Sequence, residues 1–184
     1  MVINMKKPTS ISFNIRQALP GEYESLGRLS VQVYEALPGM PDSREQPDYY
    51  SMLLDVKSRA ERPTVEILVA VSQAGNLMGG VTFIGDMKYY DSGGSANSVL
   101  NSSGIRLLAV DQSVRNLGVG RALTVACMQR AKALGSDKVI LHTTRAMTIA
   151  WKLYEKMGYQ RFPELDFLQG ELEVYGFSYD LKHF

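Results

Sequence analysis

Between Leu107 and Leu123 the chain reads LLAVDQSVRNLGVGRAL. The opening apolar run is short and bounded by turn residues, which predicts a buried strand. From Val119 the apolar positions are Val119, Ala122, Leu123, Ala126 and Cys127, the spacing of one helix face. A strand therefore passes through a glycine-bearing turn into a helix N-terminus. There the free backbone N–H groups and the positive end of the helix dipole favour an anion. Gly118 and Gly120 let a phosphate approach the backbone, and Arg115 and Arg121 add positive charge. The segment reads as a phosphate cradle, against the alternative of a tight turn that binds nothing. It is neither a Rossmann fingerprint, whose third glycine is missing, nor a Walker loop, whose Gly-Lys-Ser/Thr ending is absent.

A chain of 184 residues with 45% hydrophobic and 21% charged residues suits one soluble globular domain. The net charge of +1 makes no electrostatic case for nucleic acid or an anionic membrane, so any positive potential must be local. The single cysteine excludes an internal disulfide and leads to the expectation of a reducing, cytoplasmic setting. Cys127 falls on the apolar stripe of its helix, a place for a small hydrophobe rather than a nucleophile. No apolar run is long enough to span a bilayer, and no apolar core follows Lys6 and Lys7 to form a signal peptide.

In order, residues 1–11 read as a flexible tail ahead of a single domain over 12–184. A first strand is expected at 12–16, a helix from Glu22 to Leu37 and a second helix from Pro47 to Ala60, closed by Pro63. A hairpin over 65–71 and 77–84 turns at Ala74-Gly75-Asn76. Residues 91–104 are small and polar and read as a mobile, solvated excursion, with a lid as the alternative. Strand 105–110 leads into the cradle and a helix that stops at Gly135. Strand 138–142 follows, then a helix capped by Thr143-Thr144 and stopped at Gly158, and strands at 159–162 and 173–181. That order gives a mixed sheet with helices on both faces.

Arg115-x-x-Gly118-x-Gly120 resembles the central motif of the GNAT superfamily N-acetyltransferases. Ala150-x-x-Leu153-Tyr154-x-Lys156-x-Gly158-Tyr159 resembles that family's other diagnostic segment, in the correct order. The resemblance covers 12–184. It implies an α/β fold with a mostly antiparallel, twisted sheet of about seven strands, splayed between the fourth and fifth. It implies acetyl-CoA as donor, with the pantetheine arm along Leu108, Ala109 and Val110. The pyrophosphate would lie against Arg115, Asn116, Leu117, Gly118, Val119, Gly120 and Arg121. Ala150 and Thr144 complete the coenzyme contacts. The reaction implied is direct acetyl transfer to an amine of a small molecule or peptide, with Tyr154 as general acid to the departing thiolate. No metal is implied.

Two departures stand out. Met147 occupies a position where many members carry an asparagine, and Thr144 is the candidate to replace that contact. The fourth strand offers no carboxylate at 105–110 as a base, leaving an ordered water, Glu66 or Asp91. These departures motivate a second reading, a non-catalytic acyl-CoA-binding or sensing domain. An oxygen acceptor or a longer acyl donor also stays open. His142 reads as a satisfied core histidine. Tyr34, Tyr49, Tyr50, Tyr89 and Tyr90 are candidates to line an acceptor pocket. No acidic cluster announces a polycationic acceptor, and a homodimer through the C-terminal strands is an open option.

Overall fold

The run Val65–Ser72 contributes Leu68 and Ala70 to one core layer and Ile67, Val69 and Val71 to another. A strand buried on both faces needs helices on both sides of its sheet. The computed structural model describes residues 12–184 and supplies them; the expected tail over 1–11 lies outside the described residues. In chain order the elements are β1 (Phe13–Gln17), α1 (Tyr23–Glu35), α2 (Pro47–Leu54), α3 (Val56–Ala60), β2 (Val65–Ser72) and β3 (Leu77–Ile84). They continue with β4 (Ser102–Val110), α4 (Val119–Ala133), β5 (Lys138–Thr143), α5 (Thr148–Lys156), β6 (Gln160–Arg161), β7 (Phe167–Gln169) and β8 (Leu172–Asp180). Side chains of α4 and α5 pack on one face of the sheet, and those of α1, α2 and α3 on the other. The strand order is β1-β2-β3-β4-β5-β8-β6, with β7 on β8. Among the described residues only β4 and β5 run parallel.

That parallel pair is short. It runs from Ser102 opposite Lys138 to Ile105 opposite Leu141 and then stops. His142 and Thr143 continue against β8, while Arg106–Val110 have no partner on that edge of β4. The two strands part at this point, as the resemblance implies. A bulge lies in the same place. Gly80 pairs with Ala109 but Thr82 pairs with Arg106, so β4 carries one extra residue, and Leu107 takes a φ of 56°. The extra residue resets the alternation of the strand. Ile105, Leu108 and Val110 pack with α4, whereas Leu107 and Ala109 pack in the α1–α2 layer. Arg106 and Leu107, although consecutive, line the same two cavities.

The structure corrects four expectations. The helix expected over 47–60 is two, divided at Asp55, whose carboxylate accepts the Ser58 N–H at 3.1 Å and caps α3. The excursion over 91–104 is partly core: Ala96 is fully buried, and Ser102, Ser103 and Gly104 are buried residues of β4. The segment Pro163–Gly170 forms β7, which makes eight strands. Neither Thr143 nor Thr144 caps α5. Thr143 ends β5, Met147 occupies the cap position without a side-chain bond, and the Met147 N–H donates to the Thr144 carbonyl at 3.1 Å.

Candidate functional site

After β4 the Asp111 carboxylate holds the turn by accepting the Ser113 N–H at 2.8 Å and its hydroxyl at 2.6 Å. Asn116 and Gly118 then take φ values of 63° and 84°. Gly118 is the N-cap of α4 and offers no side-chain cap, and the first closing bond is Ala122 N–H to the Gly118 carbonyl at 2.9 Å. The N–H groups from Asn116 to Arg121 therefore donate to nothing among the described residues. No heavy atom lies within 4 Å of where a Cβ on Gly118 would stand. Arg115 and Leu117 are half-buried, Asn116 and Arg121 exposed, and buried Val119 roots the helix in the core. An exposed, uncapped helix start beside two arginines fits an anion such as a pyrophosphate. A Cβ on Gly120 would lie 3.4 Å from Leu153, 3.6 Å from Val110 and 3.9 Å from Leu108. The cradle, the open end of β4 and α5 thus meet at Gly120, with Ala150 half-buried on the same face.

The second motif closes α5. The Gly158 N–H donates to the Glu155 carbonyl and the Tyr159 N–H to the Tyr154 carbonyl, both at 3.0 Å, with Gly158 at φ 92°. This is a Schellman ending, which needs a residue tolerant of positive φ at position 158. It stacks its flanking residues, placing the Tyr154 and Tyr159 rings 5.6 Å apart. Tyr154 is buried, and its hydroxyl has no hydrogen-bond partner among the described residues. Burial pushes its phenol well above the usual value, and Tyr34, Tyr90 and Cys127 push the same way. Tyr154 is therefore protonated at neutral pH, as a proton donor must be. Cys127 is fully buried, and burial raises its thiol.

Where β4 and β5 part, a cleft of about 500 Å³ opens, counting the solvent at its mouth. Arg106 and Leu107 face it from β4, His142 and Thr143 from β5, Thr144 from the turn after it, and Met147 from the start of α5. Tyr34, Met40, Tyr49, Tyr90, Ser92, Phe167 and Gln169 complete most of its wall. The Oγ atoms of Ser92, Thr143 and Thr144 are buried there without partners. Unsatisfied buried hydroxyls are rare in folded proteins, and three of them line this cleft. Burial pushes the Tyr34 phenol up to about 12 and Tyr49 well above its usual value. His142 lines the wall but is engaged at both nitrogens, Nδ1 with the Tyr90 hydroxyl at 3.0 Å and Nε2 with the Leu165 carbonyl at 2.9 Å.

Of the five tyrosines, Tyr34, Tyr49 and Tyr90 line the cleft. Tyr50 is packed between α1 and α2 with its hydroxyl on the Pro41 carbonyl at 2.9 Å, and Tyr89 lines a smaller cavity beside Arg59, Arg62 and Arg106. Glu66 is paired with Arg130 at 2.7 Å and Asp91 with Arg62 at 3.1 Å, and neither lines the cleft. Tyr154 is not in the cleft wall either; it lies in the layer between α5 and the sheet. The sequence reading missed Arg106, Ser92, Thr143, Phe167 and Gln169. Arg106 had a signal, a charge in the middle of an otherwise apolar strand.

Among the described residues no cluster of three or more His, Cys, Asp or Glu could hold a metal ion, and no helix is long and apolar enough to cross a membrane. The family model described as "Acetyltransferase (GNAT) family" matches residues 30–159. A mycothiol acetyltransferase of Thermobispora bispora is 38% identical over 58 residues, 32% of this chain and 20% of that protein. The chain spans about a fifth to a third of the length of the curated relatives it matches. A GNAT-family acetyltransferase of Staphylococcus aureus Mu50 superposes with a TM-score of 0.70 at 19% identity, covering 92% of this chain and 99% of that one. The PaiA N-acetyltransferase of Thermoplasma acidophilum, solved in complex with coenzyme A, gives 0.69 at 14% identity and covers 92% and 100%.

Proposed function

The chain belongs to the acetyltransferase (GNAT) family, which groups it with acyl-CoA-dependent N-acetyltransferases, and we propose that it moves the acetyl group of acetyl-CoA directly to an amine. The observation that carries this reading is the parting of β4 and β5 beyond Ile105 and Leu141, with an uncapped α4 start at one end of the gap and a polar cleft within it. In this reading the N–H groups of Asn116–Arg121 and the charge of Arg115 bind the pyrophosphate. The unpaired edge of β4 at Leu108–Val110 takes the pantetheine arm, and the free Thr144 hydroxyl takes a contact that Met147 cannot give.

The amine nitrogen attacks the thioester carbon. The new C–N bond forms, the C–S bond breaks, and the sulfur leaves with the electron pair and takes the Tyr154 phenolic proton. The proton lost from nitrogen passes to solvent and one returns from solvent to the Tyr154 phenolate, so the cycle ends with the enzyme unchanged. An ammonium cannot attack, because its lone pair is occupied. The cleft wall favours the free amine, since the Arg106 guanidinium disfavours a second positive charge beside it. The chain forms one domain over 12–184 in this reading.

Calorimetric titration of acetyl-CoA, followed by thiol release with a panel of amines, tests the proposal. Saturable binding and amine-dependent release support it; absence of binding overturns it. A second reading, a non-catalytic acyl-CoA-binding domain, draws on one observation: no carboxylate lines the cleft among the described residues. Binding without release under any amine would favour it.

A further inference from the structure

Arg106 is a half-buried guanidinium in the cleft wall with no carboxylate partner among the described residues. Its Nη1 is committed, donating to the Tyr90 carbonyl at 2.8 Å and the Asp91 carbonyl at 2.5 Å. Among the described residues its Nε and Nη2 donate to nothing. Those two atoms form the edge of a guanidinium that takes both oxygens of a carboxylate at once. The same cleft holds the unpartnered buried hydroxyls of Thr143 and Ser92, each able to donate one more bond to such a group. Behind Arg106, in the adjoining small cavity, lies Arg59, which is 8% exposed. Its Nη atoms rest on main-chain carbonyls of Met52, Leu53 and Asp55, and it too has no carboxylate contact. Two cations therefore stand behind one wall of the cleft with no acid lining it.

Charge of one sign in a low-dielectric wall favours a ligand of the other sign. We infer that the acceptor is an amine that also carries a carboxylate, such as an amino acid, and that the Nε/Nη2 edge of Arg106 holds that carboxylate with Thr143 and Ser92 completing its bonds. The bulge makes this arrangement, because the added residue turns Arg106 to the cleft side beside Leu107. The field of Arg106 also reaches the other groups of the wall: it and Arg59 both act to lower the phenols of Tyr34 and Tyr49, against the larger effect of burial. The inference rests on the acetyl-transfer reading for what happens to the amine, and on the cleft alone for the carboxylate.

The test compares L-amino acids with their carboxamides, matched in side chain, in the thiol-release assay. The wild-type protein should use the acids about tenfold or more better in kcat/KM, the loss that follows one missing charge-assisted bond. Arg106→Gln should bring the ratio to about one while leaving acetyl-CoA affinity at the wild-type value. Arg106→Lys, which keeps the charge without the fork, should fall between and serves if the glutamine variant fails to fold. A second arm needs no variant and no turnover: N-acetyl amino acids and N-acetyl amino-acid amides are titrated into the CoA-loaded protein. Preference for the acids supports the carboxylate site. Equal use and equal binding of acids and amides, or a preference that survives in Arg106→Gln, overturns it. Tight binding of N-acetyl acids with no thiol release from any amine removes the transfer reading and keeps the carboxylate site.

Discussion

The Tyr90 hydroxyl and His142 Nδ1 share a hydrogen bond of 3.0 Å across the mouth of the gap between β4 and β5. Nε2 lies 2.9 Å from the Leu165 carbonyl and donates to it, and the Tyr90 hydroxyl also faces the Ile105 carbonyl at 3.4 Å. Burial lowers the affinity of His142 for a proton, and the Leu165 bond only partly offsets it.

The sign of the resulting pH dependence follows. A histidine whose folded value lies below the unfolded value of 6.5 binds fewer protons when folded. Its contribution is intact above 6.5 and is lost as pH falls from there through the lowered folded value. The melting temperature should therefore begin to drop just below 6.5, before the paired carboxylates of Glu22 and Asp166, which hold below their usual values, are protonated. His142→Gln should flatten that first decline. A wild-type melting temperature unchanged down to the carboxylate range would refute the assignment.

Gly104 supports Tyr90 from below. A Cβ at Gly104 would stand 2.3 Å and 2.5 Å from two Tyr90 ring carbons and 3.1 Å from the Met87 sulfur. Tyr90 is 1% exposed and tied at its hydroxyl to His142, so the ring must shift and strain that bond to admit a methyl. Gly104→Ala should cost about 1–3 kcal/mol, the usual range for overpacking a filled core, read by urea denaturation. It should also disturb the Tyr90–His142 bond, visible as a change in the His142 ring shifts in NMR spectra.

Tyr154 offers an unusually clean substitution. Its hydroxyl has no protein partner among the described residues, so Tyr154→Phe leaves nothing unsatisfied in the core. Melting temperature and acetyl-CoA affinity should stay at wild-type values while kcat falls about 10²–10⁴-fold, the range for losing a positioned proton donor. Retained turnover would remove the acid role.

The cradle has two separable variants. Arg115→Ala should weaken acetyl-CoA binding by about 1.5–3 kcal/mol without unfolding the chain, since the residue is only half-buried. Gly118→Trp enters open space and carries a φ of 84°, which costs an L-residue about 1–2 kcal/mol of stability. Its indole would cover the free amides, and binding should be lost in a protein that still folds. Wild-type affinity in both variants would show that the turn holds no pyrophosphate.

The elements legible from the amino-acid pattern were those whose own residues decide them. Leu68, Ala70 and their alternates announce β2, and Gly158 announces the end of α5. Ser102-Ser103-Gly104 read as a loop because its residues are small and polar. They are small because Tyr90 lies on Gly104, and the Ser103 hydroxyl is bonded to the Ser136 hydroxyl at 2.8 Å from the far side of a turn. Partners 14 and 33 positions away leave no local periodicity. The turn into α4 was readable because its glycines and arginines lie close together in the chain. The cleft was legible only through Tyr34, Tyr49 and Tyr90, since its wall comes from six separate segments and depends on a bulge that no single residue type marks.

That bulge divides the duties of one strand among interleaved positions. Ile105, Leu108 and Val110 hold α4 in place, and Arg106 and Leu107 meet whatever enters the cleft. A change at 106 alters what faces the cleft while Ile105, Leu108 and Val110, the neighbours that pack with α4, stay fixed. A lineage carrying this strand can vary the lining of its cleft at one position and preserve its scaffold at the next.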